Sequence, residues 1–227
     1  MNLLRIFKFV TFIFLSLSLS VFAEDAATLV NLVGKARVIK ADKKVIELKV
    51  KDKVEEGDTI VTDKDTFAMF KFTDNAETIL RPETEWKING YKFVTDDPSK
   101  DNSNATLVKG GLRRLSGLCG KRGNPEADKL ITATATVGIR GTIYDALSCS
   151  GGGGCEKLKN GNYFKVKDGQ ISVKNEAGEI LISKGQFGYE ASPNSKPEDL
   201  PQDPGFPRFN PSKDMQPDVK SGSQCAA

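Results

Sequence analysis

The chain has 227 residues, with 33 Lys and Arg against 30 Asp and Glu, and it contains no histidine. Two of the basic residues lie in an N-terminal leader, so the rest of the chain is nearly neutral, which excludes a strongly basic nucleic-acid-binding protein. The absence of histidine removes Ser-His and Cys-His nucleophile pairs and most catalytic metal sites. We therefore expect no enzymatic activity and no cofactor.

The first 23 residues predict a secretory signal peptide. Arg5 and Lys8 precede an apolar run over residues 9–22, and Ala23 provides a small residue for cleavage. An uncleaved membrane anchor is the alternative, but the run is short for a span and lacks a positive flank behind it. We expect a mature chain that is periplasmic or secreted, with no transmembrane span.

Short strands are predicted at regular intervals through the middle of the chain. Residues 36–50 contain two alternating runs around a polar four-residue turn, which predicts a hairpin. Further on, Phe70 and Phe72 share one strand face, and Trp86 and Ile88 share another that we expect to face inward. This spacing predicts an all-β fold, either a twisted β-sandwich or a short β-solenoid of many short antiparallel strands and hairpins.

Two glycine-containing segments define the second half of this all-β region. Residues 131–146 alternate small and β-branched side chains around Gly138 and Gly141, which predicts a strand, a sharp bend or bulge, and a second strand. Downstream, the dipeptide Asp168-Gly169 separates two apolar runs and predicts a hairpin with a type I′ turn. A turn at Ala177 and Gly178 then predicts a continuing meander.

The composition changes near residue 191, where proline becomes frequent and apolar residues become rare. Proline at this density predicts an extended, disordered tail without regular strands. We expect three parts: the signal peptide over residues 1–23, one all-β domain over 24–190, and the tail over 191–227.

Four cysteines in an exported chain predict two disulfides, for which three pairings exist. We favour Cys149 with Cys155, because the intervening glycines can close a small loop worth roughly 2 kcal/mol. Cys119 would then pair with Cys225 and tie the tail to the domain. A zinc site is the alternative, but the sequence has neither a CxxC pair nor a histidine.

Other candidate sites have simpler explanations. The local basic cluster consists of Lys109, Arg113, Arg114, Lys121 and Arg122. No aromatic residues interleave with it, so it predicts a solvated loop rather than a nucleic-acid site. The acidic pairs Asp63/Asp65 and Glu83/Glu85 are typical of a solvated strand face.

Four short motifs occur in an order that resembles the FecR-type periplasmic domain. The first, V-x-x-G-D-x-I-x-T, is filled by Val54, Gly57, Asp58, Ile60 and Thr62. The second, T-x-x-A-x-x-x-x-R-G-T, is filled by Thr132, Ala135, Arg140, Gly141 and Thr142. The third, V-x-x-G-x-I-x-V, is filled by Val166, Gly169, Ile171 and Val173, and a closing K-G-Q by Lys184, Gly185 and Gln186. Together they span about residues 32–189.

This resemblance implies a binding or sensing module with a protein partner in the cell envelope, contacted through a sheet edge. Family regulators pass a signal from an outer-membrane receptor to a sigma factor. The alternative is an envelope structural protein that binds glycan or peptidoglycan, for which we would expect a row of exposed aromatic residues.

Arg140 is the one charged residue for which we expect a possible role in binding. The favoured interpretation is structural, with the guanidinium donating to backbone carbonyls beside the bend. In the other, Arg140 faces a groove and binds a carboxylate or the strand edge of a partner.

Overall fold

The computed structural model describes residues 25–122, 124, 126–150 and 155–207. These residues form a short 3-10 helix, Pro98–Lys100, and fifteen β-strands. In chain order the strands are β1 (Asp25–Val33), β2 (Ala36–Ile39), β3 (Val45–Glu47), β4 (Lys53–Glu55), β5 (Thr59–Thr62), β6 (Phe67–Phe72), β7 (Glu77–Leu80), β8 (Glu85–Lys92), β9 (Asn102–Leu115), β10 (Asp128–Ile131), β11 (Thr136–Cys149), β12 (Gly161–Asn175), β13 (Gly178–Ser183), β14 (Phe187–Glu190) and β15 (Glu198–Leu200).

One hydrogen-bonded sheet connects all of these strands, and it confirms the predicted all-β fold class. Its main path runs β15-β14-β12-β11-β10-β9-β7-β6-β1-β4, with β2, β3, β5, β8 and β13 joined at its sides. Neighbouring strands are antiparallel except for β9 and β10, which are parallel. The predicted hairpin over residues 36–50 is confirmed, because β2 and β3 pair with Arg37 opposite Glu47.

The three longest strands change partners at a glycine. Before Gly110, β9 pairs with β8 and β10, and from Gly110 onward with β7 and β11. The pairing of β11 is interrupted after Arg140, next to Gly141, and β12 passes from β14 to β13 across Gly169. All three glycines have positive φ, at +80°, +61° and +75° respectively. L-residues with side chains rarely adopt this backbone, so glycine allows the sheet to bend here.

The bend folds the sheet over one hydrophobic core. Trp86 and Ile88 are each 1% exposed, as predicted, and share a cluster with Phe164 and Ile171 from the two halves of β12. The two ends of β12 come together, because Asn162 and Asn175 both donate a hydrogen bond to the Glu190 carboxylate. The outer segment of the sheet consists of β10, residues 136–140 of β11, residues 170–175 of β12, and β13. We call this segment the first layer.

The predicted hairpin at Asp168-Gly169 is wrong. Residues 161–175 form one strand, and both of its halves pair antiparallel with the same neighbour, β11. A type I′ turn requires positive φ at both central residues, whereas only Gly169 has it here. One residue with positive φ produces a bulge and a bend instead of a chain reversal.

The described part of the tail also differs from its prediction. Residues Glu198–Leu200 form β15, which pairs with β14, so the expectation of no regular strand after residue 191 is wrong. Phe206 then packs against Tyr163, with ring centroids 6.4 Å apart, and Asp203 accepts a hydrogen bond from Lys165 at 3.0 Å. The predicted signal peptide and residues 208–227 lie outside the described residues.

The cysteines bear out one of the two predicted pairings. Cys149 and Cys155 form a disulfide with Cα atoms 5.5 Å apart. Such a bond is typical of an oxidising compartment outside the cytoplasm. Cys119 is a free thiol that is only 1% exposed, so the structure does not contain the predicted bond to Cys225, a residue outside the described ranges.

Arg113 and Arg114 do not lie in the solvated loop that we predicted. Both belong to β9, and because neighbouring strand residues point to opposite faces, each reaches a different carboxylate. Arg113 donates to both oxygens of Asp145 at 2.6 and 2.8 Å, and Arg114 donates to Asp128 at 3.1 Å. All four side chains are buried, so their charges are used inside the fold.

Candidate protein-binding site

The outer side of the first layer carries polar and charged residues, which we call the polar face. Residues directly opposite each other in the strand register share a face, and alternate residues along each strand point the same way. The polar face consists of Lys129, Ile131, Thr136, Gly138, Arg140, Gln170, Ser172, Lys174, Glu179, Leu181 and Ser183. Their neighbours in sequence, such as Val137, Ile171 and Val173, point inward and are fully buried.

The polar face ends at a strand edge that is open among the described residues. β13 pairs with β12 on one side and with no described strand on the other. In the middle of β13, Leu181 is 57% exposed, while Ile182 beside it is fully buried. An open edge presents unpaired backbone N–H and C=O groups, which an extended peptide can pair with. The exposed leucine adds an apolar contact at the same place.

One carboxylate, Glu126, interacts with three cations of the polar face. Lys129 pairs with Glu126 at 2.7 Å. The hydrogen bond from Lys129, its charge and the charges of Arg140 and Lys174 together lower the pKa of the Glu126 carboxyl below its ordinary value of 4.5. Arg140 and Lys174 are exposed and make no hydrogen bond or ion pair with any described residue. The face is therefore positive on balance and can accept further carboxylates.

The position of Arg140 argues against one of its two predicted interpretations. Arg140 lies opposite Gln170 in the register and points to solvent, so its guanidinium does not donate to backbone carbonyls within the described chain. The favoured structural interpretation is therefore wrong. Its role as a partner-binding residue stays a prediction, now placed on the polar face.

A buried carboxylate closes the end of the sheet opposite the bend. Glu190 is fully buried and accepts hydrogen bonds from Thr134, from Asn162 at 2.7 Å and from Asn175 at 3.3 Å. Asn162 also donates to the hydroxyl of Thr132 at 3.1 Å. These bonds tie the turn between β10 and β11 to both ends of β12 and to β14, so the cluster fixes the geometry of the polar face.

An open groove of about 450 Å³ lies beside this cluster. Its walls include the turn at Ala133 and Thr134, the side chain of Lys174, and Pro193. Lys174 therefore belongs to both the groove and the polar face.

The second FecR-like motif is divided between the two ends of the sheet. Thr132 accepts a hydrogen bond from the Ala135 amide at 3.0 Å and fixes the turn at the closed end. Gly141 and Thr142 lie at the bend, where the Thr142 amide donates to Ser116 at 2.7 Å. Apart from Arg140, these motif residues set backbone geometry and are not exposed binding groups.

The other motifs fix turns elsewhere. Gly57 has a φ of +89°, and Asp58 accepts hydrogen bonds from the Glu55 amide at 2.9 Å and from Lys40 at 2.8 Å. Gly169 lies at the bend. Gly185 has a φ of +83° in the turn between β13 and β14, where Gln186 accepts a hydrogen bond from the Ser183 amide at 2.7 Å.

Sequence reasoning missed Lys129, Lys174, Leu181 and Glu190. The segment GEILIS has an alternation in which Glu179, Leu181 and Ser183 share one side, and this pattern could have indicated an exposed leucine on a polar face. Nothing comparable marks Glu190, because its partners come from distant parts of the chain.

The described residues provide neither a metal site nor a membrane-spanning helix. They contain no group of three or more Cys, Asp or Glu side chains placed to hold a metal ion. They also contain no helix with the length and apolar character needed to cross a membrane.

Comparison with known proteins adds a distant structural likeness. No family model and no curated protein matches the sequence. Two crystal structures of a putative anti-sigma factor from Parabacteroides distasonis ATCC 8503 are similar to this chain, each with a TM-score of 0.47 and 11% identity. The match covers 65% of this chain and 61% of that protein, so this chain spans less than two thirds of it.

Proposed function

We propose that this chain is an exported, non-enzymatic binding module that recognises a protein partner in the cell envelope through the β13 edge and the polar face. The observation that carries this proposal is the open edge of β13 with Leu181 exposed at its centre. A partner segment added there gains backbone hydrogen bonds from the edge and an apolar contact from Leu181. Arg140, Lys129 and Lys174 then favour acidic side chains on the same partner.

The exposed apolar residues favour a protein ligand over a glycan. Among the described residues, the large exposed ones are the aliphatic side chains Val30, Val33, Val45, Ile46, Val50, Val108 and Leu181. The single tryptophan, Trp86, is buried in the core. Sugar rings are bound on exposed aromatic faces, and the described surface does not present a row of them.

The proposal also includes a periplasmic location and a role in envelope signalling. The disulfide and the predicted signal peptide support a periplasmic location. The four FecR-like motifs support a place in envelope signalling, in which the partner is a receptor or a membrane-bound regulator. The absence of histidine from the whole sequence supports a binding role without catalysis.

Affinity capture from the native envelope tests the proposal. The mature chain is compared with Leu181→Lys at the β13 edge and with Val45→Lys, a matched change at the exposed β3 edge, where Val45 is 59% exposed. We expect one envelope protein to be captured by the wild type and by Val45→Lys, and lost with Leu181→Lys. Equal capture by all three proteins, or retention on cell-wall material alone, would contradict the proposal.

A further inference from the structure

The open edge of β13 is complementary to itself. Its outward residues are Glu179, Leu181 and Ser183, with Leu181 at the centre. A two-fold axis through Leu181 would place the two copies of β13 antiparallel, with Leu181 opposite Leu181 and Glu179 opposite Ser183. We propose that the chain pairs with a second copy of itself through β13.

The charges along this edge favour the antiparallel arrangement. Ser183 is followed by Lys184, whose side chain is 71% exposed and pairs with Asp168 of the same chain at 2.9 Å. Ser183 also lies in the same row as the exposed Arg140 across β12. The other end of the edge carries Glu179, with Glu176 in the preceding turn, and neither forms an ion pair with a described residue. Lys174 lies opposite Glu179 on β12 without forming an ion pair. The acidic end of each copy therefore meets the basic end of the other, and the symmetry produces this contact twice.

Burial of Leu181 gives the pairing its apolar component. Residues opposite each other in an antiparallel pair have Cβ atoms about 4.5–5.5 Å apart, so the two exposed leucines would cover each other. A six-residue strand is about 20 Å long, and one such strand pair buries less surface than a permanent dimer needs. The dimer is therefore weak and depends on concentration.

The pairing has a consequence for binding. The same edge cannot accept a second copy and a partner strand together, so the dimer protects the edge until a partner displaces the second copy. Pairing of the chain with a second copy is measured on the purified chain alone. If the purified chain does not pair, the result of the capture experiment is unaffected.

Sedimentation velocity of the mature chain over a concentration series measures the pairing. Ser183→Lys places a cation opposite Glu179 of the other copy, and Ser183→Glu places an anion there. Both variants lose the same hydrogen bond from Gln170 to Ser183, so their difference reports the charge. We expect dimerisation to be about tenfold tighter in the lysine variant than in the glutamate variant. Thr136→Lys and Thr136→Glu, on the same face two strands from the edge, should leave it unchanged.

Chemical cross-linking locates the axis independently. In a Cys225→Ser background, Leu181→Cys should cross-link to itself with a short bismaleimide, because the two positions face each other. Val45→Cys at the β3 edge should not. A chain that is monomeric at every concentration, equal dimerisation by both Ser183 variants, or cross-linking at position 45 instead of 181 would overturn the proposal.

Discussion

Replacing Gly169 with alanine tests the bend that folds the sheet over its hydrophobic core. Gly169 has a φ of +75°, and an added Cβ would lie 2.5 Å from the carbonyl oxygen of Gly141. The backbone conformation alone costs an L-residue about 1–2 kcal/mol. Crowding against a backbone atom adds about 1–3 kcal/mol, because the oxygen belongs to the neighbouring strand and cannot rotate away.

We therefore expect Gly169→Ala to lower the free energy of unfolding by about 3 kcal/mol. For a domain of this size the melting temperature should fall by about 6–12 °C. Gly185→Ala is the matched control, because Gly185 has a φ of +83° but no atom within 4 Å of an added Cβ. That variant should lose only the conformational part, about 1–2 kcal/mol.

Thermal and urea unfolding of the two variants, followed by circular dichroism, measures the difference. The close approach of Gly169 to Gly141 predicts a larger loss at position 169 than at position 185. Equal losses at the two positions would refute the packed bend and favour an exposed turn at Asp168-Gly169.

Three further predictions concern ionisable side chains. Arg113→Ala or Asp145→Ala alone should cost about 3–5 kcal/mol, because each removes the two hydrogen bonds that join these buried charges. The double variant should cost less than the sum of the two, as a double-mutant cycle in urea would show. Burial, and to a smaller extent the charge of Asp74, raises the pKa of the Cys119 thiol, so iodoacetamide should modify Cys119 only after unfolding. If Cys119 is not modified in the unfolded, unreduced chain, it forms a disulfide instead. Burial of Asp203 opposes its ionisation, but hydrogen bonds from the Phe206 amide and Lys165 lower its pKa overall, below 3.8. The stabilising effect of the Asp203 carboxylate is therefore present above its unfolded pKa and is lost as the pH falls through its lower folded pKa. Amide exchange over residues 198–206 should accelerate in this acidic range. Asp203→Asn should remove this pH dependence.

Local pattern was sufficient to predict the strands and the bend in β11 next to Gly141, but not the bend at Gly169. The alternation around Trp86 and Ile88 identified inward faces correctly, because a period of two is a property of each strand by itself. Asp168-Gly169 has the composition of a hairpin turn. What decides its structure is that β11 pairs with both halves of β12, and this is a long-range contact that the local sequence does not contain.

The buried ion pairs show a second limit. Arg113 and Arg114 stand in the segment KGGLRRLSG, and its content of glycine and basic residues is that of a solvated loop. Their carboxylate partners, Asp145 and Asp128, lie 32 and 14 residues away. Burial of these charges depends on tertiary pairing, so sequence composition alone could not reveal it.

The candidate site was predicted only in part for the same reason. Arg140 was selected because it stands within a motif. Its solvent-facing position and its nearness to the cations at Lys129 and Lys174 follow from the register of β10, β11 and β12. The open edge of β13 is likewise a property of the whole sheet, since it depends on which strands do not pair with it.

Site-specific photo-cross-linking at position 181 in the native envelope tests the central claim most directly. A photoreactive residue replaces Leu181 at the β13 edge, and the same residue replaces Val45 at the β3 edge as the control. The account predicts an adduct with an envelope protein at position 181 and none at position 45, while an adduct of twice the chain mass would identify the second copy separately. Absence of any protein adduct at position 181, or equal adducts at both edges, would contradict the claim that β13 is where this protein binds its partner.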